Sequence, residues 1–408
     1  MNPLNYDVVI VGGGAAGIFA AINVANNNPN LKVVVLEKTG QLLAKVKISG
    51  GGRCNVTHAC FEPKELIKFY PRGAKELLGA FHQFQPGDVI NWFSERNVEL
   101  KIEDDGRMFP TTDNSQTIID CFLGELNRLN IAIELQTKVE NITKTGNLFS
   151  VTTNQKSLMC KKIILTTGGF NKAENYQFIT NLGHTIEPPV PSLFTFNLPK
   201  HSILNLQGIV ADVEIKIVDT KFSESGPLLI THWGFSGPAV LKLSAWAARY
   251  LAEKNYEFEV EINWLPIINE EELMQALQEL KTEFSTKKIV NAFNFNLPNK
   301  LKSYLIAKAE INENLKWADV SKKQLQRLVD VLLKDNYISK GKTTFKQEFV
   351  TCGGIKLNEV NFKTMESKFI PNLYFAGEIL NIDALTGGFN FQSAWTTAWI
   401  AALDSQHT

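Results

Sequence analysis

An α/β fold with a parallel central sheet is predicted by three observations. The first is a continuous β-branched run, Asp7-Val8-Val9-Ile10-Val11, as expected of a central parallel strand buried on both faces. The second is the passage from that run into Gly12-Gly13-Gly14-Ala15-Ala16-Gly17 and a small-residue helical stretch, Ile18 to Asn26. The third is a second strand, Lys32-Val33-Val34-Val35-Leu36, ending at Glu37. Strand, GxGxxG, helix, strand and acidic residue, with the acid about twenty positions past the last glycine, form a dinucleotide-binding unit.

Each part of that unit has a task. Gly12 permits the tight turn, Gly14 lets a pyrophosphate approach the backbone, and Gly17 lets helix and sheet pack closely. With Ala15 and Ala16 they open the helix, whose free N–H groups and dipole attract phosphate. Glu37 accepts hydrogen bonds from ribose hydroxyls, which favours an adenosine without a 2′-phosphate.

The motif alone does not choose between NAD and FAD, and three further segments bear on the choice. In Lys45-Val46-Lys47-Ile48-Ser49-Gly50-Gly51-Gly52-Arg53-Cys54-Asn55, successive glycines expose backbone N–H groups for an anion-binding concavity, or else form a surface loop. An alternating stretch from Lys138 to Cys160, broken at Thr145-Gly146-Asn147 and Asn154-Gln155, reads as a β-meander. It feeds a buried strand, Lys162 to Leu165, that ends in Thr166-Thr167-Gly168-Gly169. At the C-terminus, Leu373 to Glu378 leads through Asp383 to Thr386-Gly387-Gly388-Phe389-Asn390-Phe391-Gln392 and a helical run, Ser393 to Leu403. A helix start aimed at a flavin would stabilise negative charge on the reduced ring.

Taken together, VIVGGGAAG, KVKISGGGRCN, THWGFSGPA and LYFAGEILNIDALTGGFNFQSAW resemble the YhiN/BaiN-type flavoproteins over nearly the whole chain. GGGRCN and TGGFNFQ are the most specific of these. Members of that family are FAD-dependent oxidoreductases, aminoacetone-oxidase-like enzymes or reductases of unsaturated 3-oxo bile acids. The resemblance implies FAD and a fold similar to the FAD-binding core of the fumarate-reductase and glutathione-reductase groups. It places Lys45, Ser49, Gly51, Gly52, Arg53 and Cys54, then Gly377, Glu378, Gly388 and Asn390, along the cofactor. Glu37 and Lys38 would meet the adenosine ribose, and the Val139 backbone the adenine side. Thr167, Gly168, Gly169, Gly387 and Phe389 complete the candidate FAD-binding set. Thr166 departs from the family, where alanine is commoner, and the change is not expected to disturb the site.

If the first and last segments build one FAD domain, the middle of the chain is an insertion. Its start is marked by Pro188-Pro189-Val190-Pro191 and its return by Lys346 to Gly354. Within it, Phe194 to Leu198, Val210 to Val218 and Tyr256 to Trp264 alternate like strands, while Glu270 to Asn336 carries apolar residues at helical spacing. The expected layout is a discontinuous FAD domain, 1–190 and 346–408, a β-rich insertion, 191–268, and a helical insertion, 269–345. The fold class expected is therefore α/β, a Rossmann-like FAD-binding core with an inserted module that the resemblance makes barrel-like, and a helical module.

The 408 residues carry 42 basic and 42 acidic side chains, which removes any global attraction to nucleic acid or anionic membrane. Charge is nonetheless segregated, with roughly fourteen basic residues against six acidic between Lys281 and Lys346. A solvated helix surface is the plain reading, and a contact for RNA, an acidic partner or a nicotinamide cofactor the functional one. Five cysteines without a CxxC pair indicate reduced thiols and hence the cytoplasm. Met1–Tyr6 has no lysine or arginine and the apolar run after it is broken by glycines, so no secretory signal is expected. No stretch of about twenty apolar residues is present, so no membrane span is expected. Oligomeric state is not readable.

For the chemistry, His232 in Ile230-Thr231-His232-Trp233-Gly234-Phe235-Ser236-Gly237-Pro238 is the candidate catalytic proton donor. The competing reading is a structural turn that caps a helix from Leu241 to Tyr250. Cys54 lacks a second thiol for a redox relay. His58, His82, His184 and His201 have no metal-ligand spacing, and no metal is expected. The expected activity is NAD(P)H-dependent reduction of a C=C bond conjugated to a carbonyl, in a small or medium organic substrate held between core and insertion. With one dinucleotide fingerprint, NAD(P)H would be a transient donor. Amine oxidation by O2, modification or binding of RNA, and a flavin-binding regulator are the alternatives.

Overall fold

A computed structural model describes residues 6–343 and 350–405. The chain divides into two compact units, Met1–Ser192 with Phe345–Thr408, and Leu193–Thr344. The return point expected at Lys346 to Phe349 lies outside the described residues.

In the first unit, the strands Leu373–Phe375, Ser157–Leu165, Tyr6–Val11, Val33–Leu36 and Ala132–Glu134 lie side by side and parallel, in that order. Register pairs Val8 with Val33 and Val11 with Leu36 on one side, and Val11 with Leu165 on the other. Val8, Val9 and Ile10 are fully buried, which explains the unbroken β-branched run. Each such side chain contributes about 1.5–3 kcal/mol by burial. The expected meander is present as Val139–Thr145, Leu148–Thr153 and Ser157–Leu165, joined antiparallel. Its third strand runs on without a break into the parallel sheet, so one hairpin register sets both.

The helices Ala15–Asn27 and Phe389–Ser405 pack on each other, although they are the first and last of the chain's long elements. Gly17 instead lets the first of these helices lie close on the glycine turn and the sheet, because a Cβ there would lie 1.9 Å from the Gly12 carbonyl oxygen and 2.6 Å from Thr166 Oγ1. Phe19 and Trp395 meet across the interface with ring centroids 5.3 Å apart.

The prolines expected to mark the start of the insertion belong to the first unit. They sit in the strand Ile186–Pro191, antiparallel to Thr351–Ile355, where the register shifts between Glu187 and Val190. A bulge tolerates proline because the ladder is already interrupted there. The unit therefore ends at Ser192, two residues past the expected border.

In the second unit, among the described residues, seven strands form one sheet that runs from Asp335–Lys340 through Glu257–Asn263, Val210–Ile217, Ser223–Ile230, Gly234–Ser236 and Thr195–Asn197 to Lys342–Thr343. The two end strands are consecutive in the chain, joined at Gly341, so the sheet closes on itself as a barrel. Asp335–Lys340 corrects the helical expectation to Asn336: buried Asp335, Tyr337 and Ser339 alternate with exposed neighbours, a period of two. The helices Glu270–Glu283, Asn299–Lys308 and Lys322–Leu333 pack into the same apolar core as the strands. The β-rich and helical insertions thus share a core, and Trp264 N donates to the Leu332 carbonyl at 2.8 Å across the expected border.

Candidate functional site

Four parallel strands of the first unit end on one edge, and their next residues are Gly12, Glu37, Thr166 and Ala376-Gly377. Ligands of open α/β sheets bind beyond this edge. The chain ends are laced together: Thr166 N donates to Val11 O and Ala376 N to Leu165 O, at 2.9 and 3.0 Å. Thr166, the one departure from the family pattern, adds a hydroxyl donated to Val11 O at 2.9 Å and Gly12 O at 3.1 Å. It fastens the first glycine turn to the neighbouring strand.

A cavity of about 370 Å³ opens beside this edge, lined by Gly12, Glu37, Lys38, Val139, Thr167 and Phe170 among others. Glu37 is fixed inside the turn. Its carboxylate accepts from Gly13 N, Thr39 N and Thr39 Oγ1, each at 2.8 Å. Lys38 lies with Nζ 5.4 Å from the Phe170 ring centre. Phe170 N donates to the Tyr176 hydroxyl at 2.9 Å, and burial pushes that phenol up to about 12. Phe170, Tyr176 and Phe178 escaped the sequence reading. Phe170 was findable, since it follows Thr-Gly-Gly directly. Nothing in the pattern distinguishes Tyr176 and Phe178 from ordinary core aromatics.

Two glycine loops face each other in the same unit. The helix from Ala44 loses helical geometry at Ser49, and Gly50, Gly51 and Gly52 follow at φ 57, 69 and 87°. Beyond Gly51 and Gly52 no atom lies within 4 Å of where a Cβ would be, and the same is true of Gly14. The opposite loop carries Gly387 and Gly388 at φ 132 and 92°. The Asn55 amide bridges the two, 3.0 Å from Thr57 O and 3.0 Å from Gly388 N. Thr57 Oγ1 donates to Gln392 Oε1 at 2.5 Å, and Trp395 Nε1 to Val56 O at 2.9 Å. His58 lies 3.1 Å from Gly387 O and packs on Phe389. Asn390 clasps the loop through both backbone polar groups of Ala384, each at 3.0 Å. From the other side, buried Asp383 pairs with Arg72 and Ser192.

The structure places the remaining expected residues as follows. Lys45 Nζ donates to Glu378 at 2.7 Å, and the other oxygen of Glu378 accepts from Thr351 N at 2.8 Å. Gly168 and Gly169 abut this pair, since a Cβ on Gly169 would lie 2.3 Å from Thr351 Oγ1. The Gly377 N–H is occupied by Thr397 Oγ1 at 2.9 Å. Ser49 and Cys54 face inward: Cys54 N donates to Ser49 O at 3.0 Å, and burial pushes the Cys54 thiol up to about 12. At that value a thiolate nucleophile is not available at neutral pH. Arg53 turns outward, with its guanidinium 3.9 Å from the Phe109 ring centre and paired to Glu103 at 2.5 Å and Asp113 at 3.4 Å.

His232 belongs to the second unit. It is exposed on a turn closed by Thr231 N donating to Gly234 O at 2.8 Å, and its ring lies against Trp233. Pro238–Trp246 is the helix that follows. Among the described residues no group of three or more His, Cys, Asp or Glu is placed to hold a metal ion. No helix of the described residues is long and apolar enough to cross a membrane.

A dinucleotide with a second ring system fits this set. The cavity has an acidic wall for a ribose, the helix from Ala15 has neither side-chain cap nor acid in its first turn, and Gly51 and Gly52 leave open the space a Cβ would fill.

Comparison with known proteins agrees. Residues 6–404 match the family described as HI0933-like protein, Rossmann domain. The chain is 30% identical to the ribosomal RNA dihydrouridine synthase of Escherichia coli K12, over 98% of each chain. It is 26% identical to the 3-dehydro-bile acid delta(4,6)-reductase of Clostridium scindens, over 96% of this chain and 97% of that one. A solved 3-ketosteroid-Δ4-(5α)-dehydrogenase from Rhodococcus jostii RHA1 superimposes with a TM-score of 0.52 at 12% identity, covering 100% of this chain and 98% of that one. A flavocytochrome c3 fumarate reductase gives 0.50 at 13%, covering 98% and 78%. The two structures share the fold, a Rossmann-type FAD-binding α/β core.

Proposed function

This chain belongs to the HI0933-like family of FAD-dependent oxidoreductases, and we propose that it reduces a C=C bond conjugated to a carbonyl, with NAD(P)H as electron donor. The observation that carries this reading is a bond type shared by two full-length relatives. Dihydrouridine is uridine saturated at C5–C6, beside the C4 carbonyl, and a Δ4,6 bile acid with a 3-oxo group holds a conjugated enone. In the uracil ring hydride goes to the β carbon and a proton to the α carbon; in the dienone hydride goes to the β or the vinylogous δ carbon and a proton to the carbon beside it. Relatives named for saturating a ring favour reduction over amine oxidation. Because the relatives at 30% identity, from Escherichia coli and Haemophilus influenzae, act by name on ribosomal RNA, a uridine in RNA is proposed as substrate ahead of a small organic molecule.

FAD, when bound, supplies the hydride and is recharged by the nicotinamide. The chain's share is binding and proton handling. Glu37, Lys38 and the Val139 backbone would hold the adenosine, and Gly14 with the helix start at Ala15 the pyrophosphate. Gly51, Gly52, Gly387 and Gly388 would line the rest of the group. The helix Phe389–Ser405 begins without an acid in its first turn, which favours negative charge near its start. His232, exposed on a fixed turn and free to meet a substrate, is the proposed donor of the proton to the α carbon. The cytoplasm is the proposed compartment, in keeping with five free cysteines.

The test is anaerobic. Holoenzyme bleached by NADPH or NADH is mixed in turn with ribosomal RNA lacking dihydrouridine, free uridine and a 3-oxo-4-ene steroid. The expected result is reoxidation by the RNA, with one of its uridines gaining two hydrogens by mass spectrometry. Reoxidation by O2 alone, with all three left unchanged, contradicts the reading. A His232→Ala protein that keeps its flavin and full turnover removes the proton-donor assignment.

A further inference from the structure

We propose that the lysine-rich face of the second unit, built around Lys287, Lys288 and Lys316, docks the phosphate backbone of RNA. This rests on the reading that the reduced ring is carried in RNA, and adds a surface to it. The three lysines are brought together by an antiparallel bridge in which Lys288 stands opposite Lys316, with Trp317 N donating to Lys287 O at 3.0 Å. All three are exposed; Lys288 Nζ donates to Asn314 Oδ1 at 2.8 Å and Lys287 Nζ lies 4.5 Å from the Phe284 ring centre, and none of the three forms an ion pair with a carboxylate among the described residues. Glu313 and Asp319, exposed in the same stretch, pair with none of them.

The pairing of charge in this unit is selective. Lys308, Arg327 and Lys334 are matched to Asp335, Glu310 and Glu270. Those cations are matched one to one, whereas Lys287, Lys288 and Lys316 form no ion pair among the described residues. Helix starts are sorted in the same way. Glu270–Glu283 opens with three glutamates, as the dipole favours. Asn299–Lys308 and Lys322–Leu333 open without an acid and carry Lys300, Lys322 and Lys323 near their positive ends. That arrangement works against helix stability and in favour of an external anion. Between the lysines, Asn291, Asn294, Asn296 and Asn299 are exposed, side chains that donate to phosphate and sugar oxygens. A polyanion with evenly spaced phosphates fits a cluster spread over two segments better than a single small anion does.

The test uses full-length holoprotein and a fluorescein-labelled RNA of ribosomal sequence, with affinity followed by anisotropy across a KCl series. Wild type is expected to bind with a steep salt dependence. The triple variant Lys287→Gln, Lys288→Gln, Lys316→Gln is expected to lose at least tenfold in affinity at low salt. Its log–log salt slope should be shallower by about 2, at about 0.7 per phosphate contact on a single strand. Reduction of free uridine or a small enone by the variant should match wild type. A variant that binds and reduces RNA as wild type does overturns the surface and leaves the proposed activity standing. A variant that loses RNA binding while neither protein reduces any substrate supports the surface and removes the activity. Wild-type binding to phosphatidylserine vesicles with none to RNA overturns the surface as well.

Discussion

Gly52 in the first unit and Gly237 in the second hold nearly the same backbone angle, φ 87 and 93°, for opposite reasons. A Cβ on Gly237 would lie 2.8 Å from Pro227 O and 2.9 Å from Leu229 N, so the chain itself fills that space. A Cβ on Gly52 would meet no atom within 4 Å. The same contrast runs through the motifs that contain them. In THWGFSGPA the glycines let barrel strands and the Pro238 helix approach each other. In GGGRCN, Gly50 packs on Phe109 and Asn55, while Gly51 and Gly52 leave room with no atom of the chain within 4 Å. A glycine-rich motif marks a ligand site only where the space it creates stays open.

That contrast can be broken by substitution. The largest effect is expected for Gly237→Ala, where left-handed strain and backbone overlap together cost about 3 kcal/mol of stability. It is read as a lower urea midpoint, with FAD content per folded chain unchanged. Next is Glu37→Ala, which leaves the N–H of Gly13 and Thr39 and the Thr39 hydroxyl without their carboxylate. It also removes the acceptor proposed for the ribose hydroxyls; a hydrogen bond to a charged acceptor contributes about 1.5–3 kcal/mol, so FAD affinity should fall about ten- to a hundredfold in equilibrium titration. Gly52→Ala should cost only about 1 kcal/mol of stability, from its φ, yet weaken FAD at least as much as it weakens the fold. If Gly52→Ala and Gly237→Ala unfold alike and both keep flavin, the contrast between the loops is wrong.

The smallest effect concerns a polar group with no open side. His184 is buried between Glu359 Oε2 at 3.0 Å and Ser367 Oγ at 2.9 Å, and desolvation holds its pKa below the ordinary value. The unfolded chain takes up the proton first, near pH 6.5. Stability from this group is therefore complete above that pH and lost as pH falls toward the lower folded value. The urea midpoint should drop between pH 7 and 5.5 in the wild type and drop less in His184→Gln. Equal slopes would contradict the assignment.

Much of the first unit was legible because its signals are local. The β-branched run, the glycine turn and Glu37 stand within a few residues of one another, and burial on both faces needs no distant partner to be read. The second unit was less so. The strand Ser223–Ile230 went unread because Gly226-Pro227 looks like a breaker, yet Pro227 stands opposite Asp212 in the barrel and costs one ladder position only. The turn from helix to strand at Asp335 is set by closure of the barrel, a tertiary demand. At the candidate site, the glycine loops were found and their fastening was not. Asn55, Thr57 and Gln392 join segments more than 300 residues apart, which spacing along one sequence does not reveal. Arg53 was expected along the cofactor by its motif neighbours, and the structure turns it to Glu103 and Phe109.

FAD is proposed to fill the space left open beyond Gly51 and Gly52. The direct measurement is the flavin released when the purified protein, reconstituted with FAD where needed, is denatured and its supernatant resolved by chromatography. About one equivalent of FAD per chain, falling sharply in Glu37→Ala and Gly52→Ala but held in Gly237→Ala, is the predicted result. A colourless protein that takes up no FAD on reconstitution would contradict it.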